Sequence, residues 1–95
     1  MPAKRIFYDK MQTPDGGIIE MVIWQLDSPV SASRHQLKYS LFYGREGERI
    51  VGYDNERGKG DHKHIQCQEF PYRFAGPEKL IEDFLSDVRR LGGIV

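Results

Sequence analysis

This sequence of 95 residues has one cysteine, a formal net charge of zero and no long apolar run, and each of these features disfavours a class of protein. The single cysteine, Cys67, cannot form an internal disulfide and suits a reducing compartment, so we expect a cytoplasmic protein. The formal net charge is +0, which argues against a protein that coats nucleic acid through bulk charge. The longest apolar run, residues 21–24, is far shorter than the ~20 residues of a membrane span. The N-terminus shows no apolar core of a signal peptide, so we expect neither secretion nor a membrane anchor.

The length and composition fit a single globular domain that covers residues 1–95. A chain this short buries roughly 60–68% of its unfolded surface, which is enough for one core. Hydrophobic residues make up 39% of the chain and charged residues 29%, both ordinary for a globular protein. We therefore expect one hydrophobic core and no second domain.

Strand patterns fill the first two thirds of the chain. Alternating or β-branched segments at 3–11, 18–26, 36–44 and 49–53 predict four strands, and 62–66 predicts a short fifth. The sequences TPDGG at 13–17 and GREGE at 44–48 are typical of hairpin turns. These features predict an antiparallel sheet of four to five strands.

The clearest element is a C-terminal helix at 77–91. Pro77 suits a first helical turn, Gly92 suits a helix end, and an apolar stripe follows helical spacing between them. That stripe comprises Leu80, Ile81, Phe84, Leu85, Val88 and Leu91. The predicted fold is therefore α+β, an antiparallel sheet with one C-terminal helix packed on one face.

One helix covers only one face of such a sheet, yet the second strand is apolar on both sides. Ile19, Met21 and Ile23 lie on one face, whereas Ile18, Val22, Trp24 and Leu26 lie on the other. An uncovered apolar surface of this size usually has a partner, so we expect a homo-oligomer or a partner interface. The alternative is that the first strand and the loop at 27–35 fold over it.

Residues 52–65, GYDNERGKGDHKHI, concentrate nine polar or charged side chains between positions 54 and 64. One interpretation is a solvated connection in which Asp54 and Asn55 form an Asx-type turn. The other is a functional site, because His62 and His64 would share one face of an extended strand. Two imidazoles so placed could bind a metal, with Asp54, Asp61, His35 and Cys67 as the candidate further ligands, although none lies at diagnostic spacing.

The same histidines could instead perform general acid–base chemistry on a phosphodiester, since imidazole titrates near neutrality. Arg57, Lys59, Lys63 and Arg73 would supply positive charge for the phosphate, and Gly58 and Gly60 would allow a close backbone approach. In FPYRF, residues 70–74, we expect Phe70, Tyr72 and Phe74 to pack under the helix. Arg73 would then point away from them, toward a functional surface.

The run GYDNERGKGDHKHI, followed by EFPYRF and by LIEDFLSDV in the helix, resembles the TumE family of toxin–antitoxin proteins. The preceding PVSASRHQLKYSLFY is similar to the strand that leads into the family's motif. The similarity covers residues 18–90. It implies a small cytoplasmic bacterial protein encoded beside a helix-turn-helix antitoxin.

The residues and the resemblance together suggest the toxin of a type II pair, acting on RNA by acid–base chemistry without a metal or other cofactor. The catalytic candidates are His62, His64, Lys59 and Asp54, and the substrate-binding candidates are Arg57, Lys63, Arg73 and Tyr53. Two alternatives stay open. One is a non-catalytic module that binds a protein or a nucleotide, and the other is a metal-dependent hydrolase that uses His62 and His64.

Overall fold

The computed structural model describes residues 3–28, 35–56 and 59–93. Six antiparallel strands form one sheet in the order in which they occur along the chain, and a single helix follows them. The elements are β1 (Lys4–Gln12), β2 (Gly17–Gln25), β3 (Leu37–Arg45), β4 (Glu48–Glu56), β5 (Gly60–Ile65), β6 (Gln68–Pro71) and α1 (Pro77–Arg90). Within these ranges, no helix is long and apolar enough to cross a membrane.

The predicted α+β class is confirmed, but the sheet has six strands rather than four or five. The additional strand is β6, whose four residues are all exposed and therefore show no alternation of apolar and polar side chains. It pairs with β5 on one side only, and Pro71, which has no N–H to donate, ends it. Strand β4 also continues to Glu56, so Asp54 and Asn55 lie in a strand and not in a turn.

Short hairpins join most of the neighbouring strands. Glu46 and Gly47 both have positive φ, at 53° and 78°, as the two central residues of a tight hairpin turn require. At the first hairpin, Thr13 is buried, and its Oγ1 accepts a hydrogen bond from the N–H of Gly17 at 2.8 Å. The predicted turns at 13–17 and 44–48 are therefore present and close the β1–β2 and β3–β4 hairpins.

The helix packs over β3 and β4 and closes the core on one face of the sheet. It begins at Pro77 as predicted, ends at Arg90, and is followed by Gly92 at a φ of 92°. Its buried apolar residues pack on β3 and β4 and share one core with the inward side chains of β2. That core consists of Ile19, Met21, Ile23, Tyr39, Leu41, Tyr43, Val51, Tyr53, Leu80, Phe84 and Val88.

The opposite side of the sheet, which we call the open face, carries the alternate residues. Pairing places Tyr8 beside Val22, and Phe42 beside both Glu20 and Gly52, on this side. Val22, Trp24 and Phe42 are half-buried there, and Ile18 is 39% exposed. The 27–35 loop was the alternative cover for this face, and its residues 29–34 lie outside the described part of the chain.

The aromatic segment after β5 divides between the core and the surface. Tyr72 and Phe74 pack against the core as predicted, and the Tyr72 hydroxyl donates a hydrogen bond to Asp83 Oδ2 at 2.7 Å. Phe70 is instead 39% exposed, so its predicted place under the helix is wrong. It sits in the edge strand β6, next to its last residue, Pro71.

Candidate functional site

The β4–β5 hairpin divides the polar segment between the two faces of the sheet. Asp54 pairs with His62, and Gly52 pairs with His64, so Asp54 and both imidazoles lie on the open face. Tyr53 pairs with Lys63, and both lie on the helix face. Because side chains alternate between the faces of a strand, Asp54 can contact the two histidines, whereas Tyr53 and Lys63 cannot.

Asp54, His62 and His64 form a compact cluster on the open face, here called the DHH cluster. Oδ1 of Asp54 lies 2.7 Å from Nε2 of His62 and 3.9 Å from Nε2 of His64. The two imidazole rings meet edge to face, with centroids 4.9 Å apart. Exposure of the side chains increases from 4% for His62 to 15% for His64 and 25% for Asp54, so the cluster opens to solvent through Asp54 and His64.

The backbone fixes the orientation of the His62 ring. Gly60, at a φ of 76°, presents its carbonyl oxygen 3.1 Å from Nδ1 of His62. A carbonyl only accepts hydrogen bonds, so Nδ1 carries the proton, and in the neutral ring Nε2 is left as an unprotonated lone pair. In the described part of the chain, neither His62 Nε2 nor Asp54 Oδ1 has a hydrogen-bond partner, although the two atoms are 2.7 Å apart.

Glu69 and Lys59 extend the DHH cluster toward solvent. Oε2 of Glu69 lies 3.5 Å from Nε2 of His62 and 4.0 Å from Nζ of Lys59. A shallow depression of about 370 Å³ adjoins them. Its lining comprises Lys59, Asp61, His62, Glu69, Phe70 and Pro71. This depression gives a ligand access to the edge of the cluster.

The environment of His64 favours its neutral form. Burial lowers the pKa of the His64 imidazole, and the positive charge of Arg49 adds to the effect. Asp54 and Glu69 oppose it, but the net shift is downward. A neutral imidazole offers a lone pair, which suits a proton acceptor or a ligand of a cation.

Two of the predicted substrate-binding residues are not part of the cluster. The hydroxyl of Tyr53 donates a hydrogen bond to Asp87 on α1, and Lys63 Nζ lies 3.3 Å from the same carboxylate oxygen. Tyr53 is almost fully buried, and this burial, together with the hydrogen bond to Asp87, raises the pKa of its hydroxyl. Tyr53, a predicted substrate-binding residue, therefore lies on the face of the sheet opposite the histidines, and Lys63 ties β5 to the helix.

A second histidine–aspartate pair lies at the end of the core. Nε2 of His35 lies 2.6 Å from Oδ2 of Asp61, which also accepts a hydrogen bond from the Tyr39 hydroxyl at 2.8 Å. Nδ1 of His35 accepts from the N–H of Leu37, so Nε2 is the donor to Asp61. The His35 ring stacks on Phe74 with centroids 3.8 Å apart. Every ring nitrogen of His35 has a partner, which indicates a structural role.

Asn55 joins β3 to β4 from within the core. Its Oδ1 accepts a hydrogen bond from the N–H of Tyr39 at 2.9 Å, and its Nδ2 donates to the carbonyl of Leu37 at 2.7 Å. These bonds satisfy backbone groups of β3 beyond the Ser40–Asp54 pair, where the direct pairing of the two strands ends. Asn55 therefore holds the end of β4, next to Asp54, against β3.

The remaining predicted residues lie at the margin of the site or outside the described chain. Arg57 lies outside the described residues. Arg73 is exposed in the segment between β6 and the helix. The sequence did not single out Glu69 or Arg49, because their roles depend on β6 and on the β3–β4 register, which places Arg49 over Gly52. Glu69 pairs with His64 across β5 and β6, and this pairing places it beside the DHH cluster.

Comparison with protein-family models gives one decisive match. The model described as Toxin TumE matches residues 3–91, which includes all six strands, the DHH cluster and the whole helix. The chain belongs to the TumE toxin family. No curated protein and no solved structure matches it. The resemblance noted from the GYDNERGKGDHKHI run is thereby confirmed, and this TumE-family protein is a toxin by family.

Proposed function

We propose that this TumE-family toxin is the toxin component of a type II toxin–antitoxin pair and that it cleaves RNA in the cytoplasm. Its partner would be a helix-turn-helix antitoxin that occupies or occludes the site. The observation that carries the proposal is the DHH cluster, in which two imidazoles and a carboxylate meet at the sheet surface. Such a group can move protons at a phosphodiester near neutral pH.

The proposed reaction is attack by a ribose 2′-hydroxyl on the adjacent phosphate. His64 removes the hydroxyl proton, the 2′-oxygen bonds to phosphorus, and the bond from phosphorus to the 5′-oxygen breaks as protonated His62, whose Nε2 is buried, supplies a proton through the more exposed Asp54. The products are a 2′,3′-cyclic phosphate and a 5′-hydroxyl. Asp54 would stabilise the protonated form of His62, and Lys59 would stabilise the charge on the phosphate.

The RNA would reach the cluster from the side of β5 and β6. His64 and Asp54 are the more exposed members of the cluster, and Lys59 stands beside the depression that leads to it. Arg49, exposed near His64, and Arg73 would add positive charge for the flanking phosphates. A few local cations of this kind bind a backbone without a large net charge on the protein.

We further propose that the protein self-associates through the β1–β3 part of the open face, where Ile18, Val22, Trp24 and Phe42 gather. Most of this region lies on β2, two strands from β4, whereas Phe42 at its edge lies in the same row across the sheet as Gly52 and His64. Sedimentation of the purified toxin, without antitoxin, should give a dimer at high micromolar concentration. Ile18→Glu should shift it to a monomer, and a wild-type monomer would contradict the interface.

Induced expression tests the proposed function. Growth should stop when the toxin is expressed alone, should recover with the neighbouring antitoxin gene, and cellular RNA should show new cleaved ends before growth stops. Addition of a chelator to the purified protein should leave RNA cleavage intact. Growth arrest without cleaved RNA would favour the non-catalytic binding module, and loss of cleavage with chelator would favour a metal-dependent hydrolase.

A further inference from the structure

We infer that Asp54, His62 and His64 form a binding site for a divalent transition-metal ion, for which Zn²⁺ is the representative. Each residue offers one ligand atom, and these atoms all lie within 4.8 Å of one another. The inference concerns what the cluster binds and does not rest on RNA cleavage.

The second observation is the state of the buried His62 ring. Its Nε2 is enclosed by protein, carries a free lone pair because Nδ1 donates to the Gly60 carbonyl, and faces a carboxylate oxygen at 2.7 Å without a hydrogen bond. Two acceptors at that distance repel each other unless a proton or a metal cation lies between them, and with His62 neutral a metal cation fills that role. A carbonyl that fixes the far nitrogen of an imidazole is also the usual support for a metal-ligating histidine.

The distances fit an ion after a small adjustment. Ligand atoms about 2.0–2.2 Å from a tetrahedral Zn²⁺ lie roughly 3.4 Å from one another. The two distances from Asp54 Oδ1, 2.7 Å to His62 and 3.9 Å to His64, bracket that value. A rotation of the part-exposed carboxylate would equalise them. Glu69 Oε2, 3.5 Å from His62 Nε2, is placed to provide a fourth ligand or to hold a water there.

The donor set selects the class of ion. Two imidazole nitrogens and one carboxylate oxygen suit Zn²⁺ and its first-row neighbours, whereas Mg²⁺ and Ca²⁺ prefer sites made of oxygen. An ion bound here occupies the lone pairs of both Nε2 atoms, which the proposed proton transfers need. Metal binding and acid–base cleavage at this cluster therefore exclude each other, and excess Zn²⁺ should inhibit the toxin.

Isothermal titration of the full chain, stripped of metal beforehand, with ZnCl₂ tests the inference without any RNA. We expect one Zn²⁺ per chain, a higher melting temperature in the presence of Zn²⁺, and no detectable binding of MgCl₂. His64→Gln and Asp54→Asn should each weaken Zn²⁺ binding by at least about 100-fold, because loss of even an outer-shell partner costs about 10–100-fold. Both variants spare the buried His62 and should fold.

Two control variants separate this site from other possible ligands. His35→Gln removes the histidine that pairs with Asp61, and Cys67→Ser removes the exposed thiol in the β5–β6 turn. Both should retain the wild-type affinity for Zn²⁺. The inference fails if the wild type does not bind Zn²⁺, if His64→Gln and Asp54→Asn bind it as well as the wild type, or if a control variant loses binding. Because no RNA is present in this titration, its failure would leave the proposed cleavage by the metal-free protein untouched.

Discussion

Asp54→Asn and His64→Ala are each expected to abolish growth inhibition while leaving the melting temperature within about five degrees of the wild type. Asp54→Asn keeps the shape of the side chain but removes the charge that faces both imidazoles. His64→Ala removes the more exposed ring of the DHH cluster. Loss of one acid–base group typically costs about 10²–10⁴-fold in rate, which is ample to restore growth during induced expression.

The burial of His62 makes that residue a poor choice for this test. His62 is almost fully buried, so His62→Ala combines loss of chemistry with a cavity and a loss of stability, and it is the less informative variant. Asp27→Asn provides a matched control, because Asp27 is exposed beyond the end of β2 and outside the cluster. It should inhibit growth as the wild type does. If a variant that carries both Asp54→Asn and His64→Ala still inhibits growth, the segment has only a structural role.

Phe84→Ala is expected to lower the free energy of unfolding by roughly 3–5 kcal/mol, the usual cost of removing a buried phenylalanine. Phe84 is fully buried on the inner side of α1 and meets the Tyr53 ring edge to face, with centroids 5.8 Å apart. A domain of this size is stable by only about 5–15 kcal/mol, so the variant should be near the limit of folding at growth temperature. Urea denaturation measures the change directly.

Phe70→Ala is the matched control for the core. It removes the same side chain from β6, where Phe70 is 39% exposed, and should cost less than about 1 kcal/mol. If Phe84→Ala also costs less than about 1 kcal/mol, α1 does not close the core as described. If the Phe70 variant costs as much as the Phe84 variant, the edge strand carries more of the stability than its exposure indicates.

Elements with strong periodic signals were predicted well from the sequence. The helix was expected at 77–91 and lies at Pro77–Arg90. Pro77 at its start, Gly92 after its end and the apolar stripe between them all indicate the same bounds. Two apolar faces of β2 were also expected, and the structure buries Ile19, Met21 and Ile23 while leaving Ile18 at the surface. Strand β6 was missed because an exposed edge strand of four residues carries no alternation.

The site was predicted in part, and the error at Tyr53 follows from the predicted end of β4. Alternation along β5 was applied correctly to His62, Lys63 and His64, which places the lysine on the face away from the histidines. Residues 54–61 were treated as a loop, where alternation does not apply, so Tyr53, the last residue of the predicted strand, was grouped with Asp54. Because β4 continues to Glu56, these neighbours point to opposite faces. The Asp54–His62 contact depends on the hairpin register, which local sequence does not specify.

The chemical ends left on cleaved RNA test the central claim most directly. Purified toxin, with and without chelator, would be incubated with a single-stranded RNA, and the product ends would be identified by mass spectrometry. The His64→Ala variant is the negative control. Acid–base chemistry at the DHH cluster predicts 2′,3′-cyclic phosphate and 5′-hydroxyl ends in both conditions, and none with His64→Ala. Ends bearing a 3′-hydroxyl and a 5′-phosphate, formed only without chelator, or the absence of any cleavage by the wild type, would contradict it.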